Sequence, residues 1–261
     1  MKYEIIANNI IQWLKDYAEK SKINGFVVGI SGGIDSALTS SLCANTGLST
    51  LCIDMPILQS EDEVKRASKH ITWLQNKFDN VSHKSIDLNN VFLSFKSTVE
   101  EESDENNFLT LANSRSRIRM TTLYYFAGLN NFLVAGTGNK VEDFGIGFYT
   151  KYGDGGVDIS PIADLNKTDV FEVSKTLGVI DEIIKAKPTD GLWDDGRTDE
   201  DQIGATYKEL EWAMEQKDLK KQLDDFKGRE KEVFKILTKF NQQNLHKMIP
   251  IPIYKIPENL K

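Results

Sequence analysis

The 261-residue chain is short of cysteine, histidine and positive charge, and no apolar run approaches the length of a bilayer span. Its two cysteines permit one bridge at most, so no disulfide framework can hold the fold. Cys43 and Cys52 both lie in apolar surroundings, which reads as a reduced, cytoplasmic protein. The three histidines, His70, His83 and His246, are scattered, and no HExxH or CxxC spacing occurs, which argues against a zinc site. Lysine and arginine number 32 against 39 aspartates and glutamates, a net charge of −7. A broad nucleic-acid face needs a basic surface to neutralise phosphates, so that class is disfavoured. The opening residues, MKYEIIANNI, lack the basic head, apolar centre and small-residue cleavage site of a signal peptide. With 40% hydrophobic and 27% charged residues and no repeat or low-complexity linker, the expectation is one globular domain over residues 1–261.

What is present alternates between two periods. Ile6, Ile10, Trp13, Leu14 and Tyr17 share one helical face. Phe26 to Ile30 is a short continuous apolar run, the pattern of a strand buried on both faces. A helix is expected over Ser36 to Ala44, and strands over Thr50 to Met55, Val81 to Ile86 and Phe132 to Ala135. Ser60 and Glu63 have capping-box spacing ahead of Val64, Ala67, Ile71, Leu74 and Phe78 at helical intervals. Further helices are expected over Asn113 to Phe126, over Asn166 to Leu177 with a stop at Gly178, and around Val233 to Phe240. Alternation of this kind predicts an α/β fold, a Rossmann-like parallel sheet with helices on both faces. Residues 186 to 202 read as an acidic surface loop, and its 190–201 part as a lid. Three glycines in four residues make Lys151 to Gly156 a loop. The proline-bearing tail cannot be helical throughout.

The most informative segment is Gly29-Ile30-Ser31-Gly32-Gly33-Ile34-Asp35-Ser36, set between a buried strand and a helix. Glycines let the backbone approach a ligand, and the first helical turn offers unpaired N–H groups and partial positive charge to an anion. This is not a Walker loop, because its lysine is missing. Asp35 would repel phosphate oxygens unless a cation lies between them, which implies bound Mg²⁺.

Ser31 to Ser36 resemble the pyrophosphate loop of the ATP pyrophosphatase superfamily, whose adenine nucleotide alpha hydrolase-like members activate a carboxylate or carbonyl by adenylation. Other blocks select one member. Asn113 to Met120 is similar to the N-x-x-x-R-x-R-M helix of NAD synthetases. Gly136-Thr137, Glu142 and Thr150-Lys151-Tyr152-Gly153-Asp154-Gly155-Gly156-Val157-Asp158 resemble their further signatures, as do Lys167, Pro188-Thr189, Asp199 to Gly204 and His246-Lys247. The resemblance implies the ammonia-dependent branch and the following roles. Gly29, Ile30, Ser31, Gly32, Gly33, Ile34, Asp35 and Ser36, with Thr137, Lys167 and Thr189, would bind ATP. Asp35 and Glu142 would hold Mg²⁺. Arg117, Lys151, Asp158, His246 and Lys247 would bind deamido-NAD. A homodimer with the dinucleotide at the subunit boundary is implied too. Two departures stand out. Gly138, Asn139 and Lys140 follow Thr137 where many bacterial relatives read Asp-His, and the stretch from Glu142 to Lys151 is one residue longer than in many relatives.

Taken without the resemblance, several of these residues read otherwise. Arg115 and Arg119 fit a solvated or ion-paired helix face, Glu142 an ordinary helix carboxylate, and Asp154 a turn residue as readily as an acceptor of the ammonium proton. The Glu100 to Glu105 run carries no assigned chemistry. The expected reaction is attack of the nicotinate carboxylate on the α-phosphorus of ATP, release of pyrophosphate, and amidation of the acyl-adenylate. Only one helix precedes residue 29 and neither cysteine looks activated, so free ammonia is the expected donor, with a separate glutaminase partner left open. A tRNA-modifying adenylating enzyme and a non-catalytic nucleotide sensor are the competing classes. The acidic charge counts against the first, and the presence of both Asp35 and Glu142 against the second.

Overall fold

A computed structural model describes residues 2–99, 105–186, 188 and 198–261. Thr189, the 190–197 part of the acidic segment and the Glu100–Asp104 run lie outside the described residues. Elements run α1 (Tyr3–Ser21), β1 (Gly25–Gly29), α2 (Ile34–Asn45), β2 (Ser49–Asp54), α3 (Glu61–Lys77), β3 (Val81–Ser85), α4 (Asn89–Val99), α5 (Glu105–Asn130) and β4 (Phe132–Val134). A π-helical segment, Lys140–Ile146, follows, and then α6 (Lys167–Leu177), α7 (Asp181–Ile184), α8 (Asp199–Ile203), α9 (Tyr207–Asp218) and α10 (Gly228–Met248).

The four strands are all parallel in the order β3-β2-β1-β4, with Val27 opposite both Leu51 and Val134. A parallel bridge from Ala135 to Ile159 extends the β4 edge. The period of two sorts the strand residues onto two faces. Phe26, Val28 and Cys52 enter a core with Leu14 of α1, Leu38 and Leu42 of α2, Ile71 and Leu74 of α3, and Val170 and Val173 of α6. Val27, Leu51, Ile53 and Val134 enter the opposite core with Phe92 of α4 and Ala127 and Leu123 of α5. A third cluster, Val141, Ile146, Tyr207, Leu210, Val233, Phe234 and Leu237, ties the π-helical segment to α9 and α10. β3, the outer strand, is polar and mostly exposed, which protects an open edge from further pairing.

The expected α/β sheet is therefore present, and the Ser60 cap, accepting from Glu63 N at 3.4 Å, starts α3. Gly178 ends α6 at φ 76°, a left-handed stop. The acidic segment differs from expectation at its end: Asp199–Ile203 is helical, capped by Thr198 and Asp201. Among the described residues no helix is long and apolar enough to cross a membrane.

α2 is buried on nearly every side despite its four hydroxyl residues Ser36, Thr39, Ser40 and Ser41. They fit because Ser40 Oγ donates to Ser36 O at 2.8 Å and Ser41 Oγ to Ala37 O at 2.7 Å. With the Ser40 proton so used, His70 Nε2–H donates to Ser40 Oγ at 2.9 Å, while the ring packs on Trp73. His70 is fully buried and its Nδ1 has no partner. Burial pushes its pKa down from 6.5 to about 4, so the unfolded chain takes up this proton first as the pH falls. Folding stability is thus expected to drop by about 3 kcal/mol between the two values through this one group. Denaturant unfolding from pH 7 to 4 should show that component in the wild type and lack it in His70→Gln, which can still donate to Ser40; equal pH slopes in the two proteins contradict the assignment.

Candidate active site

In a 3-2-1-4 sheet the chain leaves β1 toward opposite sides, so a crevice opens at the carboxyl ends of β1 and β4. The loop after β1 fills one wall. Gly32 takes φ +86°, and a Cβ there would stand 2.7 Å from Glu63 O of α3, so only glycine fits. Ser36 Oγ donates to Gly33 O at 2.9 Å and accepts from Ser31 N at 3.3 Å, which straps the loop across the start of α2. Gly33 caps α2 with extended backbone and no side-chain acceptor, leaving the first-turn N–H groups for a ligand.

Behind the loop three buried charges meet. Lys167, 3% exposed at the start of α6, places Nζ 2.5 Å from Asp35 Oδ2 and 2.8 Å from Glu142 Oε1. Burial alone would favour loss of the lysine proton, but Asp35 and Glu142 more than offset this and hold its pKa above the usual range. Burial raises the Asp35 carboxyl, with Lys167 countering in part; in Glu142 Lys167 and Tyr207 outweigh burial and lower it. Tyr207 OH donates to Glu142 Oε1 at 2.6 Å and lies 3.1 Å from Asp199 Oδ2. The fully buried Asn139 donates to Asp35 Oδ1 at 3.0 Å, and its own oxygen accepts from Val141 N and Glu142 N, both at 3.1 Å. One amide thereby fixes Asp35 and starts the turn that carries Glu142.

Both sequence departures lie in this region. A π-helix closes each hydrogen-bonded ring with one residue more than an α-helix, and Lys140–Ile146 is such a segment, lying in the stretch that leads to Lys151. A Cβ at Gly138 would lie 2.0 Å from Asp143 Oδ2, so the carboxylate of Asp143 occupies the space that a side chain at 138 would need.

The opposite wall is the turn after Tyr149. Asp154 Oδ1 accepts from Ser116 Oγ at 2.7 Å and Thr150 N at 2.9 Å, and Thr150 Oγ1 donates to Asn113 Oδ1 at 2.6 Å, which docks the turn on α5. Burial raises the Asp154 carboxyl above its ordinary value, and the bonds from Ser116 and Thr150 moderate the rise. The cavity measures about 610 Å³, and Gly29 to Ser36, Thr137, Glu142, Asp154, Lys167 and Lys247 all line it. Lys247 Nζ donates to Gly147 O and Tyr149 O at 2.9 and 2.8 Å.

Four other predicted residues lie outside that cavity. Arg117 is exposed and donates to Lys151 O at 3.3 Å, while Lys151 Nζ donates to His246 O at 2.6 Å, so these three form a neighbouring surface cluster. Asp158 accepts from Tyr124 OH at 2.9 Å and Val134 N at 2.8 Å, a bracing position beside β4. Arg115 and Arg119, which fitted a solvated helix face, instead line the cavity. Arg115 is 8% exposed, and Arg119 Nε donates to Met55 O at 3.0 Å. They meet Phe92 of α4 and Met55 after β2, which a helical wheel of α5 alone does not show. Tyr207 carried no residue-level signal, since a tyrosine opening a helix is ordinary, and Asn139 stood out only as part of the departure after Thr137, with no role attached.

The family model for NAD synthase matches residues 6–250. The NH(3)-dependent NAD(+) synthetase of Finegoldia magna is 40% identical over 215 residues, 81% of this chain and 84% of that protein. The solved structure of NMN synthetase from Francisella tularensis superposes with a TM-score of 0.84 at 29% identity, over 99% of each chain. The NH3-dependent NAD synthetase from Campylobacter jejuni superposes with a TM-score of 0.78 at 25% identity, over 98% of this chain and 100% of that one. By sequence and by fold, this chain belongs to the NAD synthase family.

Proposed function

We propose that the cavity binds ATP with deamido-NAD and catalyses its amidation by ammonia, forming a C–N bond and releasing AMP and pyrophosphate. The observation that carries this reading is the convergence of an uncapped phosphate loop with the Asp35–Lys167–Glu142 cluster in one cavity. Gly29 to Ser36, Thr137 and Lys167 serve the triphosphate, and Thr189 is assigned to it by family resemblance alone. Main-chain N–H groups at the start of α2 would receive phosphate oxygens, and Lys167 would add a fixed positive charge. The nicotinate carboxylate then needs only to be aligned with the α-phosphorus, a task of positioning rather than covalent catalysis.

Mg²⁺ fits the same residues. Asp35 and Glu142 both reach one ammonium, so their oxygens converge on a single point. Among the described residues no group of three or more metal-ligating side chains exists. Two carboxylates completed by substrate phosphates is the manner in which Mg²⁺ is commonly held. When bound, the ion supplies charge stabilisation to the departing pyrophosphate. Nitrogen comes from free ammonia: the thiols of Cys43 and Cys52 are buried and pushed far up by burial, Cys52 to about 12, so neither is a nucleophile.

Asp154 is assigned the ammonium proton. It is a cavity carboxylate with a raised pKa, and its second oxygen, Oδ2, has no protein donor among the described contacts. Lys247 in the cavity and Arg117, Lys151 and His246 on the adjoining surface serve the dinucleotide, with Asp158 bracing that wall. Their position outside the cavity suits a ligand whose far half crosses a boundary between two subunits. Exposed apolar residues on α4 and α5, among them Leu93, Phe95, Tyr125 and Leu129, support a homodimer through that face.

Likeness to an NMN synthetase supports a second reading, in which the carboxylate belongs to a mononucleotide. Pyrophosphate release measured with ATP, Mg²⁺, ammonium and either deamido-NAD or nicotinate mononucleotide separates the two. The proposal predicts turnover with the dinucleotide at the higher kcat/KM, and preference for the mononucleotide overturns it. Asp154→Asn keeps the acceptor oxygen for Ser116 and Thr150. It should lower NAD formation by about 10²-fold or more while single-turnover pyrophosphate release persists; unchanged NAD formation removes Asp154 from the proton transfer.

A further inference from the structure

We infer that Arg66, on α3, is a binding residue for the pyrophosphoryl part of ATP. The inference rests on the functional reading above and assigns a residue that none of the family blocks includes. Three observations meet at this side chain. First, α3 packs its second turn directly on the phosphate loop: a Cβ on Gly32 would meet Glu63 O at 2.7 Å, Ala67 N at 3.1 Å and Arg66 Cβ at 3.3 Å. The arginine therefore leaves the helix at the glycine pair itself. Second, Arg66 lines the same cavity as Ser31 to Ser36. The residue is half-buried there.

Third, its Nε–H is buried with no acceptor, and no carboxylate lies within ion-pair distance of it among the described residues. Arg115 shares a buried Nε without an acceptor, but its guanidinium lies 5.9 Å over the Phe92 ring, and the remaining cavity cations are engaged by protein acceptors. Lys167 is engaged by Asp35 and Glu142, Lys247 by Gly147 O and Tyr149 O, and Arg119 by Met55 O. A buried guanidinium N–H left without an acceptor is disfavoured unless a ligand supplies one. A guanidinium fork matches phosphate oxygens, and the loop beside it already presents unpaired N–H groups to the same ligand. Gln59 Nε2 donates to Ser31 O at 3.4 Å, which steadies the loop on this side.

Calorimetric titration with inorganic pyrophosphate and, separately, with AMP, both in the presence of Mg²⁺, tests the assignment without turnover. Arg66→Ala is expected to weaken pyrophosphate binding by roughly 10- to 100-fold and to leave AMP binding within about twofold, with Arg66→Lys intermediate. The KM for ATP should rise in parallel, with the KM for deamido-NAD unchanged. Equal affinity of wild type and Arg66→Ala for pyrophosphate overturns the inference. So does equal weakening of AMP and pyrophosphate, which would mark a structural role. Absence of ATP-dependent pyrophosphate release in the wild type would instead sink the functional reading, so the two failures are distinguishable.

Discussion

The contact between Lys167 and the carboxylates of Asp35 and Glu142 organises the molecule. It joins the loop after β1, the segment after β4 and the start of α6, three stretches that are far apart in sequence. Asn139 and Tyr207 add the turn before the π-helical segment and α9. Three charges under cover are a poor route to stability, since desolvation opposes the attraction and an apolar replacement is often as stable. Loss of one member is another matter, because an uncompensated buried charge costs about 3–5 kcal/mol. The arrangement is therefore better understood as chemistry that the fold is made to tolerate. Under the proposed function, a fixed ammonium and two convergent carboxylates would prepare a place for a metal-bound triphosphate.

The rest of the fold serves that place. The 3-2-1-4 order puts the crevice at β1 and β4, and the two-residue period of β1 sends Phe26 and Val28 to one core and Val27 to the other. β1 is thus held from both faces, and the loop that follows it has a rigid base. α2 is buried to its hydroxyl groups, with His70 bonded to Ser40 one turn behind the loop. Asp154 docks the glycine turn on α5, so the opposite wall is also held by specific bonds rather than by packing alone.

Much of this was legible in order and period. The apolar run at Phe26 to Ile30, the glycines that follow and the alternation downstream lead to a parallel sheet with a glycine loop at the end of β1, as found. Gly178 as a stop and Ser60 as a cap were equally readable, because each acts through its own backbone. The unread parts depend on what one element meets from another. Arg115 and Arg119 sit on a face of α5 that meets Phe92 of α4 and Met55 after β2, so a single-helix wheel assigns them to solvent. Asn139 gains its importance from Asp35, 104 positions away in the chain. The additional residue before Lys151 was countable, but the π-helical form of Lys140–Ile146 was not. Helix Asp199–Ile203 was hidden because acidic composition resembles a loop, whereas Thr198 and Asp201 form a reciprocal cap.

The central claim is that this cavity transfers adenylate to a carboxylate. The most direct measurement uses deamido-NAD labelled with ¹⁸O in both oxygens of its nicotinate carboxylate, with ATP, Mg²⁺ and ammonium, followed by mass analysis of the products. Attack on the α-phosphorus predicts one ¹⁸O in AMP and none in pyrophosphate. Label in inorganic phosphate, with ADP as the nucleotide product, would contradict the account.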